Sequence, residues 1–159
     1  MRRGRRVLLD QVDASVIKVN EEVTLLRWGN VRITNIVLSA DGAKVVELTG
    51  VYLPDATNFS KTRKLSWLTV SPDNVDAVLV EFDHLLSKSK IEEDEDFKNF
   101  VNPVTRRESS ALVDPLIRSL PVGTVLQLER KGFFRLDRAF DAVANVTTVQ
   151  LFSIPDGKK

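Results

Sequence analysis

The sequence predicts an all-β fold, two small antiparallel β-barrels with one or two short helices, on three observations. Short apolar runs recur between turn signals, neighbouring runs lie close enough to pair as hairpins, and nine candidate strands outweigh any candidate helix. The runs cover residues 7–9, 22–26, 31–38, 43–48, 65–70, 75–82, 125–130, 133–136 and 147–154.

Turn chemistry separates them. Trp28-Gly29-Asn30 breaks the second run from the third, and Ala40-Asp41-Gly42-Ala43 supplies a hairpin turn between the third and the fourth. Residues 51–60, with Pro54-Asp55, read as a loop. In the seventh run side chains alternate, so Leu126 and Leu128 share one face and Gln127 takes the other before the Lys131-Gly132 turn. Residues 83–89 read as a single helical turn. Residues 93–100, with acids near the start and Lys98 towards the end, suit a short helix aligned with its dipole and ended by Asn102-Pro103. No internal repeat or low-complexity linker is visible, so the domain boundary is read from topology. Residues 16–79 close one barrel, and residues 1–15 together with 80–159 form the other.

With 159 residues, 43% of them hydrophobic and 28% charged, the chain has enough apolar material to bury a core and lacks the composition of a disordered segment. A net charge of +1 gives no strong global field, so contact with nucleic acid must come from local asymmetry. Arg2, Arg3, Arg5 and Arg6 crowd the start; Lys61, Arg63 and Lys64 sit together; Arg130 is followed by Lys131, Arg135 and Arg138. Glu92, Glu93, Asp94, Glu95 and Asp96 concentrate the opposite sign. The absence of cysteine excludes disulfides and thiolate metal sites and permits an intracellular home. No apolar run approaches the roughly 20 residues that span a bilayer, so no membrane partner is expected. The arginine-rich start running straight into Val7-Leu8-Leu9 reads as an interior cut rather than a natural beginning, with Met1 an artefact of expressing a fragment.

Catalytic schemes find no footing. Nucleophilic triads, zinc sites and histidine acid–base pairs need more than the single histidine, His84, which reads as a strand-end side chain. Neither phosphate-cradling glycine motif is present. The acidic run lacks the spaced oxygen ligands and mid-loop glycine of a calcium loop and reads as a solvated helix start that repels RNA.

Gln127-Leu128-Glu129-Arg130-Lys131-Gly132-Phe133-Phe134-Arg135-Leu136-Asp137 resembles the Gln-Phe-Glu-Arg-x-Gly-Tyr-Phe-x-x-Asp hairpin in the anticodon-binding barrels of glutaminyl- and eukaryotic-type glutamyl-tRNA synthetases. Further anchors in the same order extend the resemblance over nearly the whole chain: Val7-Leu8-Leu9-Asp10, Glu22 to Asn30, Lys64 to Leu68, Glu81 to Leu85, Glu93 to Phe97, Val101 to Thr105, and Ile154-Pro155-Asp156-Gly157. Trp28-Gly29-Asn30 and the Ile-Pro-Asp-Gly segment look like the glutamyl branch. The resemblance implies a distal barrel (16–79) and a proximal barrel (1–15 plus 80–159) whose first strands lie upstream. It implies tRNA(Glu) as partner, a cytoplasmic location, no catalytic residue and no cofactor within this chain, and ATP in the rest of the parent enzyme. Leu85 to Lys90 is similar to the Lys-Met-Ser-Lys-Ser loop that holds ATP in class I synthetases, but without a His-x-Gly-His partner it reads as coincidence.

Residue by residue, the resemblance puts Gln127 where a glutamine contacts the middle anticodon uridine, and Arg130 at the same pocket. The chemistry fits, because a carboxamide meets both the O4 acceptor and the N3–H donor of an unstacked uridine. An exposed strand amide with no such role is the plain alternative. The family's neighbouring-base readers align loosely with Ser15, Val16 and Thr24, so that part of the pocket does not carry over. Strict alternation also puts Gln127 and Arg130 on opposite faces, so joint use needs a bulge or a strand end. Arg27, Arg32, Lys61, Arg63, Lys64, Lys131 and Arg135 are candidate phosphate contacts, with ordinary surface charge the alternative. Trp28 is a candidate stacking platform or a core residue, and Trp67, Phe133 and Phe134 read mainly as core. Rival readings are a barrel that binds ribosomal RNA, and a noncatalytic adaptor that docks other synthetases or an assembly factor. A fused bifunctional parent is a further variant of the main reading.

Overall fold

Residues 6–155 are described by a computed structural model of the chain, which divides into two compact units, Met1–Ser71 and Pro72–Lys159. In the first, the alternating apolar residues form β1 (Val7–Leu9), β2 (Glu22–Leu25), β3 (Gly29–Leu38), β4 (Val45–Leu53), β5 (Arg63–Leu65) and β6 (Trp67–Thr69), with a one-turn helix α1 (Gln11–Ala14) after β1. A four-stranded sheet runs β4-β3-β2-β5, and β1 pairs with β6. Alternation turns Val23, Leu25, Ile33, Leu65 and Trp67 inward with Ile17 to make the core.

The second unit holds β7 (Val75–Phe82), β8 (Arg106–Val113), β9 (Val125–Leu128), β10 (Gly132–Arg138) and β11 (Thr148–Ile154) in the order β8-β7-β11-β10-β9. Val75, Ala77 and Leu79 of β7, Phe134 and Leu136 of β10, and Val149 and Leu151 of β11 form its core, joined by Val113 and Ile117. Single 3-10 turns cover Phe97–Phe100 and Pro115–Ser119, capped by the carboxylates of Asp96 and Asp114.

The all-β class is as expected, but the details differ. Among the described residues the sheets are open rather than closed barrels, and each of the two larger ones contains a parallel pair, β2 with β5 and β7 with β11. These partners are joined by long excursions rather than tight turns, and a long connection permits parallel entry. The expected barrel ranges 16–79 and 1–15 plus 80–159 also differ from the observed units. Val7 lies opposite Thr69 and Leu9 opposite Trp67, so the start of the chain is stitched into the first unit, while β7 lies within the second sheet between β8 and β11. Residues 83–89 are not helical: Leu86 bridges antiparallel to Val101, and the Asn102 N–H donates to the Leu85 carbonyl at 2.8 Å. The expected helix at 93–100 shrinks to its last turn. Strand β8 went unforeseen because it is an edge strand whose first half, Arg106 to Ser110, is exposed on both faces. Arg2, Arg3, Arg5, Asp156 and Gly157 lie outside the described residues.

The two units repeat one device. Hairpins β2–β3 and β9–β10 are built alike at a constant spacing along the chain. Thr24 faces Asn30 and Leu25 faces Gly29; Gln127 faces Phe133 and Leu128 faces Gly132. Each turn is closed by one bond of 3.0 Å, from the Trp28 N–H to the Leu25 carbonyl or from the Lys131 N–H to the Leu128 carbonyl. Each turn holds an arginine in the left-handed region, Arg27 at φ 61° and Arg130 at φ 65°, two residues before a glycine at positive φ. Asn20 and Gly123 then donate to the Ile33 and Leu136 carbonyls, both at 2.7 Å, and a register shift follows Ile33 and Leu136 alike. Identity survives at Leu25 and Leu128, Arg27 and Arg130, Gly29 and Gly132, and Arg32 and Arg135. The sequence showed no repeat because the remaining matched positions share little beyond apolar alternation.

Candidate nucleic-acid interface

In the second unit, Leu126 and Leu128 pack on the core, and Gln127 is exposed on the opposite face of β9. Across the ladder stands Phe133, also exposed, at 48%. Phe134, its neighbour, is buried in the core. One step along, Arg135 is exposed opposite Val125, and its guanidinium lies over Gly123, where an added Cβ would come within 3.7 Å of Nη2. Strand β9 ends at Leu128, so alternation does not govern Arg130 and the conflict raised by strict alternation disappears. Arg130 and Lys131 are both exposed in the turn. One short hairpin thus carries Gln127, Arg130, Lys131 and Arg135 together, in a setting open to water and to an anionic backbone.

The matching face of the first unit is closed. Thr24 donates to the Asn30 amide oxygen at 2.7 Å, and the Asn30 amide nitrogen donates to Glu22 Oε1 at 2.7 Å and reaches the Asn58 carbonyl at 3.4 Å. The Thr62 hydroxyl touches that of Thr24. Asn30 is fully buried, and Thr24 nearly so, because the loop between β4 and β5 lies over them. Thr24 is therefore closed to a ligand. Sequence reasoning missed this network. An asparagine at the end of the Trp28-Gly29-Asn30 turn, six residues from a threonine, was its one visible trace.

The other candidate residues of this unit are mostly engaged within it. Lys64 is half-buried and donates to the Phe59 carbonyl, to the Thr62 carbonyl at 2.7 Å and to the Thr62 hydroxyl at 3.1 Å, so it ties down the loop. It points away from Arg63, whose Nε meets Glu21 at 3.2 Å. Arg32 faces Glu22 at 3.9 Å and remains largely exposed. Lys61 and Arg27 are exposed, on the loop and on the turn. The expected Lys61, Arg63 and Lys64 cluster is thereby dispersed. Trp28 is half-buried and packs against two rings, Tyr52, stacked at 6.0 Å, and Trp67, tilted at 4.9 Å. It serves as core margin rather than a bare platform. The exposed ring here is Tyr52, which reaches over Gly29 so closely that a Cβ there would lie 2.8 Å from its ring.

The acidic run is folded on itself. Glu95 accepts from the Glu92 N–H at 2.9 Å and from Lys88 Nζ at 2.5 and 2.6 Å, and these contacts, the backbone donor first, hold its carboxyl below the usual glutamate range. Asp96 caps the 3-10 turn through the Lys98 N–H at 3.0 Å. No helix of the described residues is long and apolar enough to cross a membrane.

Residues 64–137, which include the exposed hairpin, match the family described as tRNA synthetases class I (E and Q), anti-codon binding domain. The chain is 42% identical to a cytoplasmic glutamate–tRNA ligase of Arabidopsis thaliana over 97% of its own length and 21% of the relative's. This chain belongs to the anticodon-binding family of class I glutamyl and glutaminyl tRNA synthetases. The domain is also 40% identical to a cytoplasmic glutamate–tRNA ligase of Saccharomyces cerevisiae, over 96% of the chain and 20% of the relative. To a bifunctional glutamate/proline–tRNA ligase of Drosophila melanogaster the identity is 37%, over 97% of the chain and 9% of the relative. The domain thus spans about a fifth of the length of the first of these curated relatives.

Proposed function

We propose that this domain is the anticodon-binding part of a cytoplasmic glutamate–tRNA ligase, and that it holds tRNA(Glu) by the anticodon loop while the remainder of the parent enzyme, using ATP, charges the tRNA with glutamate. The observation that carries the reading is the exposed Gln127 carboxamide on an edge strand, with Arg130, Lys131 and Arg135 displayed from the same hairpin. A carboxamide offers a donor and an acceptor to the Watson–Crick edge of a middle uridine, which cytosine meets with the reverse pattern. The cations supply contact to phosphate that fixes register without reading sequence. Matches to stand-alone and to bifunctional ligases support either kind of parent.

Binding of anticodon stem–loops with uridine or cytosine at the middle position tests this. The 159-residue chain should prefer uridine, and Gln127→Ala should lose about tenfold of that preference, the worth of roughly 1–2 kcal/mol of hydrogen bonding. Equal loss on both RNAs would contradict the decoding role.

A further inference from the structure

The repeated hairpin isolates what is special about its second copy. In the first copy the outward pair is Thr24 and Asn30, sealed beneath the protein's own loop and hydrogen-bonded to each other, to Glu22 and to that loop. In the second copy the same pair of positions holds Gln127 and Phe133, both exposed. A phenylalanine on the outer face of an edge hairpin gains nothing from solvent, and the core requirement of β10 is already met by Phe134 and Leu136. The ring and the amide are direct cross-strand neighbours, so their Cβ atoms lie roughly 5 Å apart. Arg135 follows Phe133 on the same face, opposite Val125.

From this we infer that Phe133 is the stacking platform for the base whose edge Gln127 reads. The inference rests on the anticodon-binding reading above and adds a positioning residue to it. The partner's chemistry follows from the surface itself: a flat apolar ring, a donor–acceptor amide beside it and a cation one step away match an unstacked nucleobase and its phosphate. Single-stranded RNA is commonly held in this way, with a base face on an aromatic side chain and its edge on a polar group. Stacking does not depend on which base is present, so Phe133 supplies affinity and orientation while Gln127 supplies the choice.

The test is a binding cycle on the 159-residue chain with stem–loops carrying uridine, cytosine or an abasic site at the middle anticodon position. Phe133→Leu keeps an apolar side chain and removes the aromatic face, and Phe133→Trp keeps a face. Phe133→Leu should lose roughly tenfold in affinity for both the uridine and the cytosine RNA and nothing on the abasic RNA, and Phe133→Trp should bind as the parent does. A Phe133→Leu variant that binds all three RNAs like the parent overturns the platform. So does one whose loss persists on abasic RNA. Where either of those Phe133→Leu results comes with loss of the uridine preference in Gln127→Ala, the decoding role stands while the platform falls. A parent chain that does not distinguish the three RNAs overturns both.

Discussion

Thr24 and Gln127 hold the same place in two matching hairpins, yet Thr24 is sealed against Asn30 while Gln127 stands in solvent opposite Phe133. The difference lies in what covers each face. Where a loop covers the strand pair, every polar group beneath it needs a partner, and Thr24, Asn30 and Glu22 satisfy one another. Where nothing covers it, the residues are released from that demand and their chemistry is available to a ligand.

Removing the Asn30 amide should cost the first unit more than removing Gln127 costs the second. Asn30→Ala removes the acceptor of the buried Thr24 hydroxyl and a donor to the half-buried Glu22 carboxylate, and a loss of about 2–3 kcal/mol is expected in urea unfolding. Gln127→Ala should change stability by less than about 0.5 kcal/mol. Equal losses would mean that the network contributes nothing.

The glycines of the two turns make a matched pair. At Gly29, with φ 154°, a Cβ would meet the Tyr52 ring at 2.8 Å, whereas at Gly132, with φ 119°, nothing lies within 4 Å. Both substitutions to alanine carry backbone strain of about 1–3 kcal/mol. Only Gly29→Ala should also shift the Tyr52 ring signals in an NMR spectrum. An undisturbed Tyr52 would show that the close approach yields without cost.

Lysine substitutions should separate structure from RNA contact. Lys131→Gln should lower the slope of log affinity against log salt by nearly 1. Lys64→Gln removes the donor shared by Phe59 and Thr62, so it should lower the melting temperature and leave the salt slope unchanged. A lowered slope for Lys64→Gln would return it to the phosphate contacts.

Acid should loosen the segment around Glu95. Its carboxyl sits below its ordinary value of 4.5, through the Glu92 N–H and then Lys88. A lowered folded-state value means stability that is present above the ordinary one and lost as pH falls through the depressed one. Protection of the Glu92 amide against hydrogen exchange should therefore drop below about pH 4.5. In Glu95→Gln that protection should be weak already at neutral pH and show no acid step.

By itself the sequence determined the all-β class, the positions of most strands and the outward direction of Gln127, because alternation between Leu126 and Leu128 admits one arrangement on a half-buried strand. Its order of residues also carried the family. Tertiary structure alone decided which cations remain at the surface, since pairing of Arg63 with Glu21 and capture of Lys64 by its own loop depend on residues distant along the chain or on how a loop turns back. It alone distinguished Phe133 from Phe134, and the covered hairpin from the bare one. A side chain's exposure is fixed by what packs over its face, and local pattern does not encode that. The parallel pairings and the polar edge strand β8 escaped for the same reason: backbone hydrogen bonds to a distant partner leave little trace in hydrophobicity.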